Sequence, residues 1–393
     1  EPGRQAMAEA LHKRLVRQVL PEFLPTQRWF AGKGGRIERV EFEKHDIWAD
    51  QSEWLLARVR VWLAGRAEPQ DYGLPLALAW EEDGDEKLRP LWPYALAKVR
   101  VRARMGLLYD AFAEERFCQT LVKMIAQGAR IPLGNGWLKF TATRAFGELA
   151  GEAPQALPIQ RLALDSSNTT IAVGDRLLMK GYRRLETGIN PELEMGFFLT
   201  ETVGFAHAAP LAGALEYEDE EGDIITLALL QGFVPNQGDA WSYTQDYLKR
   251  FLDDALQQPD LINQAGEDLH ASYRLFAATL GRRTGELHRA LAQTTGNPAF
   301  DPEPVTASDV AGWLARIRDE VDATLDRLDA ARRELPEPAR LLADRVLAVR
   351  ADWATRYEPQ ALGALDVMKT RYHGDYHLGQ VLVVKNDVMI IDF

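Results

Sequence analysis

One cysteine, Cys118, stands among 393 residues, so no disulfide can form within the chain and nothing in it calls for an oxidising compartment. Long apolar runs are missing as well. The richest stretch, Ile224 to Leu230, is broken by Thr226 and falls far short of the roughly 20 residues that a membrane-crossing helix needs. The opening Glu1-Pro2-Gly3-Arg4 lacks the basic and apolar regions of a secretory leader, which makes the cytoplasm the expected location. Positive charge is in short supply: 46 Lys and Arg face 58 Asp and Glu, a net charge of −12. That balance argues against nucleic acid as a partner, since phosphate neutralisation would have to supply the affinity. With 46% hydrophobic and 26% charged residues the chain is an ordinary globular one, long enough for two or three domains. It starts without Met and stops at Phe393 inside a strand-like run, so both ends are expected to be cuts in a longer polypeptide.

What is present falls into three stretches. Ala6, Ala10, Leu11, Leu15, Val19 and Leu20 have helical spacing, ended by Pro21. Beyond Gly32-Lys33-Gly34-Gly35 the period becomes two: Val40, Phe42, Trp54, Leu56, Val59, Val61 and Leu63 alternate with polar residues. A strand over 71–80, a turn at Glu81 to Glu86, extended chain over 95–109, a helix over 111–126 and extended chain over 137–146 complete an α+β module, residues 1–150. Trp29, Trp48, Trp54, Trp62, Trp80 and Trp92 are expected chiefly in the core of its antiparallel sheet. The Gly-, Ala- and Pro-rich run 147–158 marks a boundary. Residues 151–235 read as a β-rich lobe, with strands over 159–165, 169–173, 176–182 and 224–231, and a helix started by Asn190 and Pro191. Residues 236–393 read as a helical lobe closed by a strand pair.

Chemistry concentrates near that end, in His373-Gly374-Asp375-Tyr376-His377-Leu378-Gly379-Gln380. Val381–Val384 and Val388–Ile391 form a predicted hairpin around Lys385-Asn386-Asp387. With Val384 facing Val388, Gln380 faces Asp392, and an amide oxygen and a carboxylate converge as Mg²⁺ ligands. Asp375, in the preceding turn, is placed to take a proton from a substrate hydroxyl, and the order of base, amide, hairpin and acid is that of kinase-type phosphoryl transfer from ATP. Upstream, Ser166, Ser167, Asn168, Thr169 and Thr170 supply hydroxyls and amides for phosphates. Lys180 reaches the α- and β-phosphates, Glu194 is its expected ion-pair partner, and Glu192 favours the helix N-terminus. Gln231 to Val234, including Phe233, offers backbone groups to an adenine ring. Two other readings stay open: a metal-dependent hydrolase built on His373, Asp375 and His377, and a binding module without catalysis. Arg282 and His288 read as residues of a helix face.

Several runs together resemble the bacterial maltokinases: Leu24-Pro25-Thr26-Gln27-Arg28-Trp29-Phe30-Ala31-Gly32-Lys33-Gly34, Ser166 to Thr170, Asn190 to Glu194, Gly281 to Leu291, and His373 to Gln380 with Ile390-Ile391-Asp392-Phe393. The first is the discriminating one, because the others are similar to the wider aminoglycoside-phosphotransferase-like kinases. The resemblance implies an α+β protein with an N-terminal antiparallel-sheet cap domain followed by a bilobal kinase-like fold, incomplete at its C-terminus. It implies ATP- and Mg²⁺-dependent phosphorylation of maltose at the anomeric hydroxyl, with covalent or non-covalent association with a trehalose synthase. Asp375 then matches the catalytic base, Gln380 and Asp392 the metal ligands, Lys180 the phosphate-binding lysine and Glu194 its partner.

Overall fold

Alternating apolar residues between 37 and 80 build three long antiparallel strands, β1 (Ile37–Ala49), β2 (Glu53–Leu63) and β3 (Gln70–Trp80). The computed structural model describes residues 13–49, 53–162, 167–258, 270–356 and 366–393. β4 (Ala95–Val101) and β5 (Arg104–Asp110) complete the first sheet in the order β1-β2-β3-β5-β4. Val59, Val61 and Leu63 enter a core with Leu20, Phe23, Leu24, Trp29 and Phe30. Pro21 does not end the N-terminal helical stretch: it falls in the first turn of a new segment, where its missing N–H costs nothing, and helical turns run on to Thr26. The tryptophans divide. Trp29, Trp48 and Trp54 are buried. Trp62, Trp80 and Trp92 instead lie under Arg39, Arg104 and Lys98, at 3.8, 4.4 and 4.8 Å from the ring centroids.

Helix α1 (Glu115–Gln127) follows, burying Phe117, Cys118, Leu121, Val122 and Ile125 at helical spacing and ending on Gly128, whose φ of 58° needs no Cβ. β6 (Arg130–Leu133) and β7 (Gly136–Ala142) then leave the first sheet. They join β8 (Ile159–Arg161), β9 (Asn168–Val173), β10 (Leu177–Tyr182), β12 (Leu211–Glu218) and β13 (Ile224–Gly232) in the order β6-β7-β12-β13-β10-β9-β8. In return β11 (Arg184–Leu185) pairs with β3. The two sheets therefore exchange strands, and the expected boundary at 147–158 falls between strands of one sheet. One core runs through both, with Trp48, Trp54 and Ala77 packed among Phe117, Ile171, Met179, Leu215 and Leu230. The Gly- and Pro-rich run is a surface connection, not a linker between domains.

The helical part also divides differently from expectation. Helices α3 (Ala240–Gln257) and most of α4 (Ala271–Leu291) belong with the sheets and with His373–Phe393 in one compact unit. A second unit, His288–Tyr372, holds α5 (Ala307–Ala331), α6 (Glu337–Ala348), α7 (Arg350–Arg356) and the short pair β14 (Glu303–Pro304) and β15 (Met368–Lys369). Among the described residues, no helix is long and apolar enough to cross a membrane.

A buried cation joins the exchanged strands. Arg183, between β10 and β11, is fully buried. Its Nη2 donates to Asp110 Oδ2 at 2.5 Å and its Nε to Thr169 Oγ1 at 2.7 Å. Arg161 Nη1 donates to the same Asp110 oxygen at 3.1 Å. A guanidinium is tolerated in such a place only while its counter-charge stays. Asp110→Ala leaves it uncompensated and is expected to cost about 3–5 kcal/mol. Urea unfolding followed by tryptophan fluorescence reads this, and an unchanged midpoint would remove the network from the supports of the fold.

Candidate active site

Directly opposed residues of an antiparallel ladder share a face. Lys180 opposes Thr170 and Leu229, Tyr182 opposes Asn168, and Leu178 opposes Ala172 and Gln231. Thr169, Ile171 and Met179 take the other face, toward the core. Of the polar run expected to cradle phosphates, Asn168 and Thr170 thus share the face of Lys180, and Ser167 is exposed. Thr169 does not join them, because its hydroxyl is buried against Arg183. Ser166 lies outside the described residues.

Lys180 Nζ donates to two carboxylates, Glu192 and Asp392. The Tyr182 hydroxyl donates to the second oxygen of Glu192 at 2.5 Å. The expected partner, Glu194, is replaced by Glu192 for a geometric reason. Helix α2 (Pro191–Phe197) starts as expected, with Asn190 Oδ1 accepting from the Leu193 amide at 2.9 Å. Glu192 then lies at helical spacing from Met195 and Leu199, which are buried. Two residues further on, Glu194 has swung to the opposite side and lines a groove with Lys139, Phe197 and Glu216.

Asp392 arrives from a hairpin of β16 (Val381–Val384) and β17 (Asp387–Ile390). Its register differs from expectation by one residue. Val384 pairs with Asp387, the loop is Lys385-Asn386, and Lys385 takes a φ of 54°. A two-residue loop with positive φ at its first position follows the strand twist, which a three-residue loop would need a bulge to do. Asp387 is held in the ladder by Arg283, whose Nε and Nη2 donate to its two oxygens at 2.8 and 2.5 Å. Consequently Ile391, not Asp392, bonds Gln380, through a backbone contact of 3.0 Å. Asp392 leaves the strand with a φ of 59°, and its carboxylate meets Lys180. Val383 exchanges backbone bonds of 2.9 Å with Gln237 and Gly238, and the Ile390 amide donates to His207 at 2.8 Å, so the hairpin is stitched on both sides.

The same hairpin orders the His373 turn. His373 Nε2 lies 2.9 Å from the Ile391 carbonyl, and its ring sits 4.6 Å from that of Phe393 and 5.2 Å from that of Tyr376. Gly374 makes the bend with a φ of 90°. Asp375 is presented on the outside of it, its side chain 80% exposed. The inward His373 ring, with Nδ1 buried, does not form a metal set with Asp375 and His377. Among the described residues, the group of three acidic or His ligands that converges is Asp219, Glu221 and Asp223, elsewhere on the surface. In the linker, the Phe233 N–H is spent on the Arg176 carbonyl at 2.7 Å, and Gln231 is buried in the ladder between β10 and β12. The Phe233 N–H is therefore not among the backbone groups offered to an adenine ring. Arg282 and His288 are exposed on α4. Sequence reasoning assigned Glu192 to the helix N-terminus and gave Tyr182 and Arg283 no role; the helical spacing from Met195 and Leu199 back to Glu192 was the available signal.

No family model matches the chain. A curated glucosamine kinase from Streptacidiphilus jiangxiensis is 26% identical over 234 residues, which is 59% of this chain and 47% of that protein. The chain thus spans about half the length of that relative. A solved glucosamine kinase in complex with glucosamine, ADP and inorganic phosphate superposes with a TM-score of 0.52 at 20% identity, covering 95% of this chain and 71% of that one. Crystal form B of glucosamine kinase gives a TM-score of 0.50 at 20% identity, covering 90% and 66%. The shared feature is the fold, a mixed α/β architecture with a curled antiparallel sheet.

Burial pulls the Lys180 ammonium toward its neutral form, but Glu192 and Asp392 outweigh it and raise its pKa above the ordinary 10.5. A raised lysine stabilises the fold fully below its unfolded value and loses that contribution as pH climbs through the folded one, so the ion pairs are intact at neutral pH. Burial, and then Glu192, push the Tyr182 hydroxyl upward too. Glu192→Gln is expected to lower the pH at which Lys180 loses its proton, while Glu194→Gln leaves it unchanged. Lysine-selective NMR titration measures both, and a shift in the Glu194 variant alone would reverse the assignment.

Proposed function

We propose that the chain transfers the γ-phosphoryl group of ATP to a hydroxyl group of a sugar. One observation carries the reading: Lys180, buried on an inner strand of the second sheet, is joined to Asp392 from a hairpin 212 residues further along, and that hairpin also holds the Asp375 turn. A cation among two carboxylates, with an exposed carboxylate in the turn that the same hairpin holds, suits phosphoryl transfer, since its catalysis is mostly positioning and charge neutralisation. In this scheme Lys180 neutralises phosphate oxygens. Asp375 takes the proton of the sugar hydroxyl as its oxygen bonds the γ-phosphorus, and the bond to the β-phosphate breaks to release ADP. Asn168 and Thr170, on the face of Lys180, supply further polar contacts.

Asp392 would hold Mg²⁺; Gln380, the other expected ligand, stands opposite Ile391 rather than Asp392, so the strand register does not by itself bring its amide to the same point. A hard cation suits carboxylate and amide oxygens, and Asp392 already binds a cation, the Lys180 ammonium. When bound, the ion neutralises charge on the β- and γ-phosphates. For the acceptor, the run Leu24 to Gly34 supports maltose, phosphorylated at its anomeric hydroxyl in association with a trehalose synthase. Glucosamine is the second reading, favoured by the relatives that carry its name.

Phosphorus NMR of the protein with Mg-ATP and either sugar separates these. An anomeric phosphate from maltose supports the first reading, and a phosphate ester formed only with glucosamine supports the second. Asp375→Asn is expected to lower turnover about 10²–10⁴-fold, the usual worth of a general base, with ATP affinity retained. ATP left intact with both sugars would favour a non-catalytic binding module. Asp392→Ala should abolish the Mg²⁺ dependence of nucleotide affinity measured by calorimetry; an unaltered dependence would take Asp392 out of the metal site.

A further inference from the structure

Between the first sheet and the second lies a cavity of about 420 Å³, within the size range of small-molecule sites. Its walls are apolar and partly aromatic, with Trp48, Leu56, Leu74, Phe117, Leu121 and Leu227 among them. Its lining does not include Lys180, Glu192 or Asp392, although Tyr182, which bonds Glu192, belongs to it. Three charged side chains stand in its lining: Glu43, Asp46 and Arg58. Two of these charges are cancelled locally. Arg58 Nε donates to Asp71 at 2.8 Å, and Arg60 bridges to Glu43 at 2.7 Å. Asp46 differs. It accepts the amide N–H groups of Ile47, at 2.7 Å, and of Gly134, and among the described residues no cation pairs with it. The cavity therefore combines an apolar, ring-sized interior with one negative charge left to be met.

We propose that this cavity is a binding site for a small molecule with a flat apolar body and a cationic end, the body against Trp48 and Phe117 and the cation at Asp46. Aromatic walls favour a flat partner, and a carboxylate beside a low-dielectric wall draws a positive group more strongly than one in open water. The site is independent of the phosphoryl-transfer reading, and its test needs no activity.

Isothermal calorimetry with 1-naphthylmethylamine, and with 1-naphthylacetate as its anionic counterpart, tests it on the whole chain. The amine is expected to bind with one-to-one stoichiometry and at least tenfold more tightly than the acid. Leu227→Trp fills the interior and should abolish binding, with its unfolding midpoint checked against the parent. Asp46→Asn removes the charge but can keep only one of the two amide bonds, so its unfolding midpoint is checked as well; it should weaken the amine at least tenfold while leaving the acid alone. Absence of saturable heat, equal binding of acid and amine, or an amine affinity untouched by both substitutions would overturn the proposal.

Discussion

The ammonium group of Lys180 is the constraint around which the candidate site is arranged. Carried on an inner strand of a sheet, it would be costly without counter-charge, and it takes one carboxylate from the helix after β10 and another from the last residues of the chain. Each partner has a price in local freedom: Glu192 must face the sheet, which sets the rotation of α2, and Asp392 must adopt a left-handed backbone. The hairpin that delivers Asp392 is in turn bonded to the segment after β13 and to the loop before β12. Charge pairing at one atom thus fixes the relation between elements that are remote in sequence.

Two other pairs serve as joints. Arg183 with Asp110 links the strands that the sheets exchange, and Arg283 with Asp387 holds the terminal hairpin against α4. Both use a guanidinium that donates through more than one nitrogen, a geometry that a lysine cannot supply. In Asp387 the result is a carboxyl held down to about 2, first by the Arg283 hydrogen bonds. The acidity of that group keeps the joint closed through the ordinary acidic range.

Much of this was legible in residue order, and the failures have physical causes. The alternation in β2, the apolar stripe of α1 and the Asn190-Pro191 start of α2 are local patterns, and they appear where expected. The Asp-bearing turn and the approach of the hairpin to it were legible from composition and spacing. The one-residue difference in register was not, because it depends on the backbone dihedral of Lys385 and on a clamp from Arg283, more than a hundred residues away. Glu192 against Glu194 turned on rotation about a helix axis, which only the buried side chains of Met195 and Leu199 disclose. The domain boundary failed for a related reason: glycine and proline mark a bend in the chain, and a bend does not say which sheet the next strand will join.

That exchange of strands has a consequence for how the chain comes off the ribosome. When β6 and β7 have been made, β7 has an unpaired edge, and the apolar side of the early core waits for Leu215 and Leu230. Until β12 and β13 emerge, the nascent polypeptide carries an open edge and unfinished aromatic packing around Trp48 and Trp54, the condition in which chains stick to one another. The first sheet is begun before the second and receives its last strand, β11, only after β10 has been made.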